Sequence, residues 1–154
     1  NYLVEKLAKD LIDKNIDGFF IDNCDVYYNY PNEEIYHGLE YILKRLKNYH
    51  KPIIVNGGDY FIQKYLKEHK KLFFDGINQE NVFTSIDFKY RQFYEQDENA
   101  TKYYLEYLDI CQRKGLKIFL LEYGEDKEVL NKIQQYCDER GFNFYYSSSL
   151  ELNK

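Results

Sequence analysis

Short apolar runs that end in polar residues, separated by helical patterns from one end of the chain to the other, constrain this sequence more than any other feature. The strand-like runs are Ile16 to Ile21, Ile53 to Asn56, Leu72 to about Ile77, Lys117 to Glu122 and Asn143 to Tyr146. Within the first, Phe19-Phe20-Ile21 is too short for a helix and too apolar for a surface strand, so it predicts a strand covered on both faces. Between the runs, Leu3, Leu7 and Leu11 keep helical spacing with Val4 and Ile12, in a first helix that includes Asn1 to Asp10 and that Asn15 can end. Asn32 is the expected N-cap of a helix running to about Tyr49, with Glu33 and Glu34 in the first turn, where the helix dipole favours acids. Further helices are predicted over about Asp59 to Glu68, Asn99 to Lys114 and Asp126 to Arg140, the last two stopping at Gly115 and Gly141. The polar and aromatic stretch from Thr84 to Glu98 receives no element. Such alternation is the pattern of βα units around a parallel sheet, and the fold class is α/β.

Two α/β architectures fit five such strands: a small open sheet, or part of a (β/α)8 TIM barrel. Length favours the open sheet, since the chain has 154 residues and a whole barrel takes about 250. The strand ends favour the barrel. Asp22, Asn56, Glu80, Glu122 and Ser147 each follow an apolar run, and a barrel gathers such ends at one mouth, whereas an open sheet concentrates function at a single switch point. The chain also begins in a helical pattern with no strand before it. A single partial barrel domain over residues 1–154 is therefore expected, with earlier barrel units, or a second chain, covering the open sheet edges.

Composition removes several classes of function. A net charge of -5 with interspersed signs leaves no basic stripe, and the cationic cluster Lys67 to Lys71 is broken by Glu68 and His69, so nucleic acid is not an expected partner. No apolar run approaches the roughly 18 residues of a membrane span, and the first ten residues have the look of an amphipathic helix rather than a signal peptide. Cys24, Cys111 and Cys137 are odd in number and match no ligand spacing, so they are expected as small core residues, and neither a metal nor another cofactor is called for. His37, His50 and His69 are scattered on helices with no partner at metal spacing and are expected at the surface. Ser147-Ser148-Ser149 has no visible base and no Gly-x-Ser-x-Gly elbow, which argues against acyl transfer. The 18 Tyr and 11 Phe suit either core packing or a surface on which sugar rings stack.

Four segments in order carry a more specific signal. Ile16-Asp17-Gly18-Phe19-Phe20-Ile21-Asp22-Asn23-Cys24-Asp25, Ile53 to Gly58, Asp75-Gly76-Ile77-Asn78-Gln79-Glu80-Asn81-Val82-Phe83 and Phe119-Leu120-Leu121-Glu122-Tyr123-Gly124 together resemble the glycoside hydrolase family 114 domain, the endo-α-1,4-polygalactosaminidase-like (β/α)8 barrels. The resemblance covers essentially the whole chain and implies barrel strands four to eight. It departs from the family in lacking the first three strands and in carrying Glu122 where many relatives have Asp. It implies a glycosidase acting on a galactosamine-type polysaccharide, commonly an exported or cell-surface activity. Asp22, at the end of the fourth strand, and Glu80, at the end of the sixth, would be the catalytic pair. Glycoside cleavage requires such a pair, one carboxylate as nucleophile, stabiliser or base and one carboxyl to protonate the leaving oxygen. Asp22 is assigned the first part and Glu80 the second, with Val82 and Phe83 expected to desolvate Glu80.

Substrate contacts are expected from residues around that pair. Asp25 suits a sugar hydroxyl or amine, but an exposed Asp three residues past a strand is more often a helix cap. Asn56 ends a strand ahead of Gly57-Gly58, a backbone platform that a ligand can approach, though without the fuller glycine fingerprint of a phosphate cradle. Glu122 and Tyr123 are expected at the same mouth. Tyr27, with Tyr28 and Tyr30, should lie in a loop over it, as stacking rings or as a self-packed aromatic loop. Asp17 precedes Gly18 at the start of its strand and suits a turn. The competing function is a non-catalytic glycan-binding or interaction domain on a truncated or decayed barrel.

Overall fold

In a computed structural model describing residues 2–69 and 71–152, the chain is mixed α/β. Its main sheet has five strands in the order β1-β2-β3-β6-β7: β1 (Phe19–Ile21), β2 (Ile53–Asn56), β3 (Gly76–Glu80), β6 (Lys117–Tyr123) and β7 (Asn143–Ser147). A second sheet pairs β4 (Thr84–Asp87) with β5 (Gln92–Glu95). Parallel pairing joins β1 to β2 and β6 to β7, as βα units require. By internal contacts the chain divides into two compact units, 1–77 and 78–154.

In the first unit, a π-helical segment Tyr2–Leu7 leads into α1 (Ala8–Asp13); the first residue of the predicted helix, Asn1, lies outside the described residues. Asn15, at φ 60°, ends this helix as expected, its N–H donating to the Ile12 carbonyl at 2.8 Å. After β1 come α2 (Val26–Asn29) and α3 (Glu33–Lys47). Asn32 is the N-cap of α3 that the sequence announced, its side chain accepting from Ile35 N at 2.9 Å. Tyr36, Leu43 and Leu46 form the buried face of α3, and α4 (Asp59–Glu68) buries Phe61, Ile62, Tyr65 and Leu66. Ile53 and Val55 alternate inward along β2.

Three expectations for this unit fail. Tyr27 and Tyr28, expected in a loop, lie in the short helix α2. Phe20 is 60% exposed rather than covered on both faces. It opens onto an apolar groove of about 500 Å³ lined also by Leu7, Leu11, Phe19 and Ile42, because β1 stands last in the strand order. The strand predicted over Leu72 to Ile77 begins only at Gly76. Asp75 explains the delay: its carboxylate accepts from Ile53 N at 2.9 Å and pairs with Lys47 Nζ at 2.6 Å, so a side chain takes the place of a ladder bond. Asn78, Gln79 and Glu80 consequently lie within the strand rather than after it.

In the second unit, α5 (Glu98–Arg113) and α6 (Lys127–Arg140) start at Asp97 and Asp126, whose side chains accept from backbone N–H groups of the first turns. Their inward faces, Tyr107, Leu108 and Cys111 on α5 and Val129, Ile133 and Cys137 on α6, carry helical spacing. All three cysteines are buried free thiols, as expected of core residues. The stretch Thr84 to Glu98, given no element from sequence, contains the β4–β5 hairpin, in register from Thr84 opposite Glu95 to Asp87 opposite Gln92. Its turn carries no Gly or Pro. Asp87 instead folds its carboxylate onto Lys89 N and Tyr90 N at 2.9 and 3.0 Å, and Arg91 takes φ 53°.

Candidate active site

Parallel register decides which side chains meet in the first unit. Ile21 is opposite Val55, so the residues that follow, Asp22 and Asn56, leave their strands side by side. Asn56 Nδ2 donates to Asp22 Oδ1 at 2.9 Å, and Asn23 N donates to the same oxygen at 2.8 Å. Two donors on one oxygen hold an exposed carboxylate in a fixed orientation. Gly58 is part of this arrangement. It sits at φ 74°, and a Cβ there would meet Cys24 Cβ at 2.6 Å, so it lets the turn after Asn56 lie directly against the chain after Asp22. Gly58→Ala is expected to lower stability by at least about 1–2 kcal/mol from the left-handed backbone alone, read as a fall in Tm of several degrees in thermal unfolding. Cys24 itself is no nucleophile, since burial, with the charges of Asp22 and Asp25 added, pushes its thiol up to about 12.

The remaining candidates of this unit are less engaged. Asp25 precedes α2 and stays exposed; its side chain makes no cap hydrogen bond, and its carbonyl accepts from Tyr28 N and Asn29 N. Tyr27 tilts against Tyr36 at 5.7 Å, and Tyr28 meets Tyr60 edge-on at 4.9 Å, so both rings pack on their own unit. Tyr30 is exposed. His37 and His69 lie at the surface and share Glu40, each at 2.7 Å. Among the described residues, no group of three or more His, Cys, Asp or Glu is placed to hold a metal ion, and no helix is long and apolar enough to cross a membrane.

In the second unit, Glu80 closes β3 and receives the Tyr123 hydroxyl on Oε2 at 3.4 Å. Tyr123 is only 5% exposed, with its ring stacked on Phe93 of β5 at 5.9 Å. Burial and the neighbouring Glu80 push its phenol up to about 12, so it remains a protonated donor. Both lie at the carboxyl ends of their strands, as in sites of parallel α/β folds. Beside Tyr123 opens a cleft of about 380 Å³, lined also by Thr84, Phe93, Tyr94, Glu125 and Tyr146 among others. That size lies within the range of small-ligand sites. At Gly124 a Cβ would meet the Tyr146 hydroxyl, so a larger residue there would require that ring to shift. Thr84, Phe93 and Tyr94 were missed in the sequence, although Thr84, Ile86, Phe93 and Tyr94 are residue types enriched in strands.

Glu122 is not a mouth residue. Its side chain is fully buried at 0% exposure, and both carboxylate oxygens are taken by the chain that follows Glu80. Val82 N donates at 2.8 Å, Phe83 N at 3.2 Å, Thr84 N at 3.0 Å and Thr84 Oγ1 at 2.7 Å. Desolvation pushes its carboxyl up to about 7, against the pull of those hydrogen bonds. Val82 and Phe83, expected to desolvate Glu80, therefore give their N–H groups to Glu122, and the Phe83 ring packs edge-on against Tyr136 at 5.3 Å.

The glycoside hydrolase domain of PelA from Pseudomonas aeruginosa superposes at a TM-score of 0.72 and 17% identity, over 92% of this chain and 57% of that one. The chain shares its fold. A single-residue variant of the same domain gives a TM-score of 0.72 at 16% identity, with the same coverage. The chain thus spans little more than half the length of the solved domain it resembles. No protein-family model and no curated protein matches the sequence.

Proposed function

We propose that this chain carries the catalytic carboxylates of a glycoside hydrolase, on the strand-four-to-eight half of a (β/α)8 barrel, with Asp22 as nucleophile or base and Glu80 as general acid. One observation carries the proposal: in a fold similar to a solved glycoside hydrolase domain, these two carboxylates each follow or close a strand of the main sheet, each with a hydrogen-bond donor fixed on it. The chemistry needs one carboxylate to meet developing positive charge at the anomeric carbon and one protonated carboxyl to deliver a proton to the leaving oxygen. An amino-sugar polymer of the galactosamine type is the proposed substrate. The cleft beside Tyr123 suits it, with Phe93 and Tyr94 offering aromatic surface and Glu95 and Glu125 offering anionic charge to a protonated sugar amine. An extracellular or cell-surface location fits a polymer of that kind. The test is release of new reducing ends from poly-α-1,4-galactosamine; an inactive protein that still binds the polymer would support a glycan-binding domain instead.

Asn56 offers a sharper test of Asp22. Asn56→Asp removes the Nδ2 donor at 2.9 Å and sets a second carboxylate beside the first. Like charges repel, so the fixed orientation of Asp22 is lost. The kcat/KM for cleavage of poly-α-1,4-galactosamine is expected to fall by about 100-fold, as for a misplaced catalytic group. An unchanged kcat/KM would place Asp22 outside the chemistry.

A further inference from the structure

We propose that Glu122 is the positioning residue for Glu80, its buried carboxylate fixing the turn that runs from the general acid to the hairpin wall of the cleft. The inference rests on Glu80 being the acid, as proposed above. Ionised above about pH 7, the Glu122 carboxylate has about four lone-pair sites, and three successive backbone N–H groups and one hydroxyl converge on them. Consecutive amides aimed at one anion fix the backbone that carries them, so Val82, Phe83 and Thr84 curl around this side chain. Both ends of the turn are then tied to the strand that bears Glu122. At one end, Asn81, at φ 57°, donates its N–H to the Leu121 carbonyl at 3.0 Å. At the other, Thr84 Oγ1 accepts from Tyr123 N at 3.0 Å while donating to Glu122.

The contacts form a ring. From Glu80 the chain passes through the turn to Glu122, and the next residue, Tyr123, returns its hydroxyl to Glu80 Oε2 at 3.4 Å. Thr84 also opens β4, so the same anchor sets the hairpin whose Phe93 stacks on Tyr123. Fully buried carboxylates are rare because desolvating a charge is costly, and the sheet itself needs none here: Leu120, two residues earlier on β6, fills a buried position with an apolar side chain. Glu122 is retained where it organises the chain between the acid and the cleft.

Two paired measurements on the full chain test this: carbon-13 NMR titration of the Glu80 carboxyl, and steady-state kinetics on poly-α-1,4-galactosamine. Glu122→Gln keeps the shape but presents one acceptor oxygen and an NH2 group to a set of donors. The expected result is a displaced Glu80 titration and a kcat lowered by about 100-fold, as for a misplaced catalytic group, with KM little changed. Thr84→Val and Thr84→Ser cover the case in which Glu122→Gln does not fold: Val removes the hydroxyl and should displace the Glu80 titration, while Ser restores it. A Glu80 titration unmoved in every folded variant overturns the positioning role whether or not the enzyme is active. A displaced titration in a protein that cleaves no polymer upholds positioning and rejects the hydrolase reading alone.

Discussion

Glu80→Gln and Asp22→Asn, each in the full chain, are expected to slow reducing-end release from poly-α-1,4-galactosamine by about 10²- to 10⁴-fold, the usual contribution of a positioned acid or base. Both replacements keep the local hydrogen bonds. An Asn at position 22 still offers an oxygen to Asn56 Nδ2 and Asn23 N, and a Gln at position 80 still offers one to the Tyr123 hydroxyl. Asp22 is exposed and Glu80 half-buried, so thermal stability should change little, on the order of 0.5 kcal/mol. Loss of rate without loss of fold is the signature of chemistry. Full activity in both variants would remove these residues from the mechanism. A large loss in Glu80→Gln alone would keep the acid and require another partner for it.

The second large effect is on stability against pH, and it comes from Glu122. Its folded carboxyl is raised from 4.5 to about 7, chiefly by burial. A raised acid binds its proton more tightly in the folded chain than in the unfolded one. Its favourable contribution is therefore complete below the unfolded value and is lost as pH climbs through the folded one. Between about pH 4.5 and 7 this group alone should cost the fold on the order of 3 kcal/mol. Glu122→Gln cannot ionise and should abolish that slope. The measurement is urea unfolding of both proteins across this range, with the difference in their free energies plotted against pH. A difference that stays flat would show that Glu122 titrates alike in both states.

Much of the first half of the molecule is legible in its sequence. Asn15 and Asn32 announced the end of one helix and the start of another through local side-chain and backbone chemistry. The carboxyl-end placement of Asp22 and Asn56 followed from where the apolar runs stop, whereas Glu80 closes a strand that runs three residues past its apolar run. The hairpin Thr84 to Glu95 escaped because its turn is built by the Asp87 side chain and a left-handed Arg91, not by Gly or Pro. Phe20 misled because an apolar residue in a strand does not reveal whether anything covers it.

What the sequence by itself determined is the α/β class, the approximate spans of the longer helices, the buried cysteines and the strand end that Asp22 follows. These depend on periodicity, capping and composition, which act over a few residues. Only the tertiary structure decided that Asn56 orients Asp22, that Tyr123 reaches Glu80, and that Glu122 turns inward to bind the turn Val82 to Thr84. Asn56 lies 34 residues from Asp22, and Glu122 lies 38 to 40 residues from its partners. Such pairings arise from strand register and from the demand that a buried charge find donors, and neither is written in any local pattern.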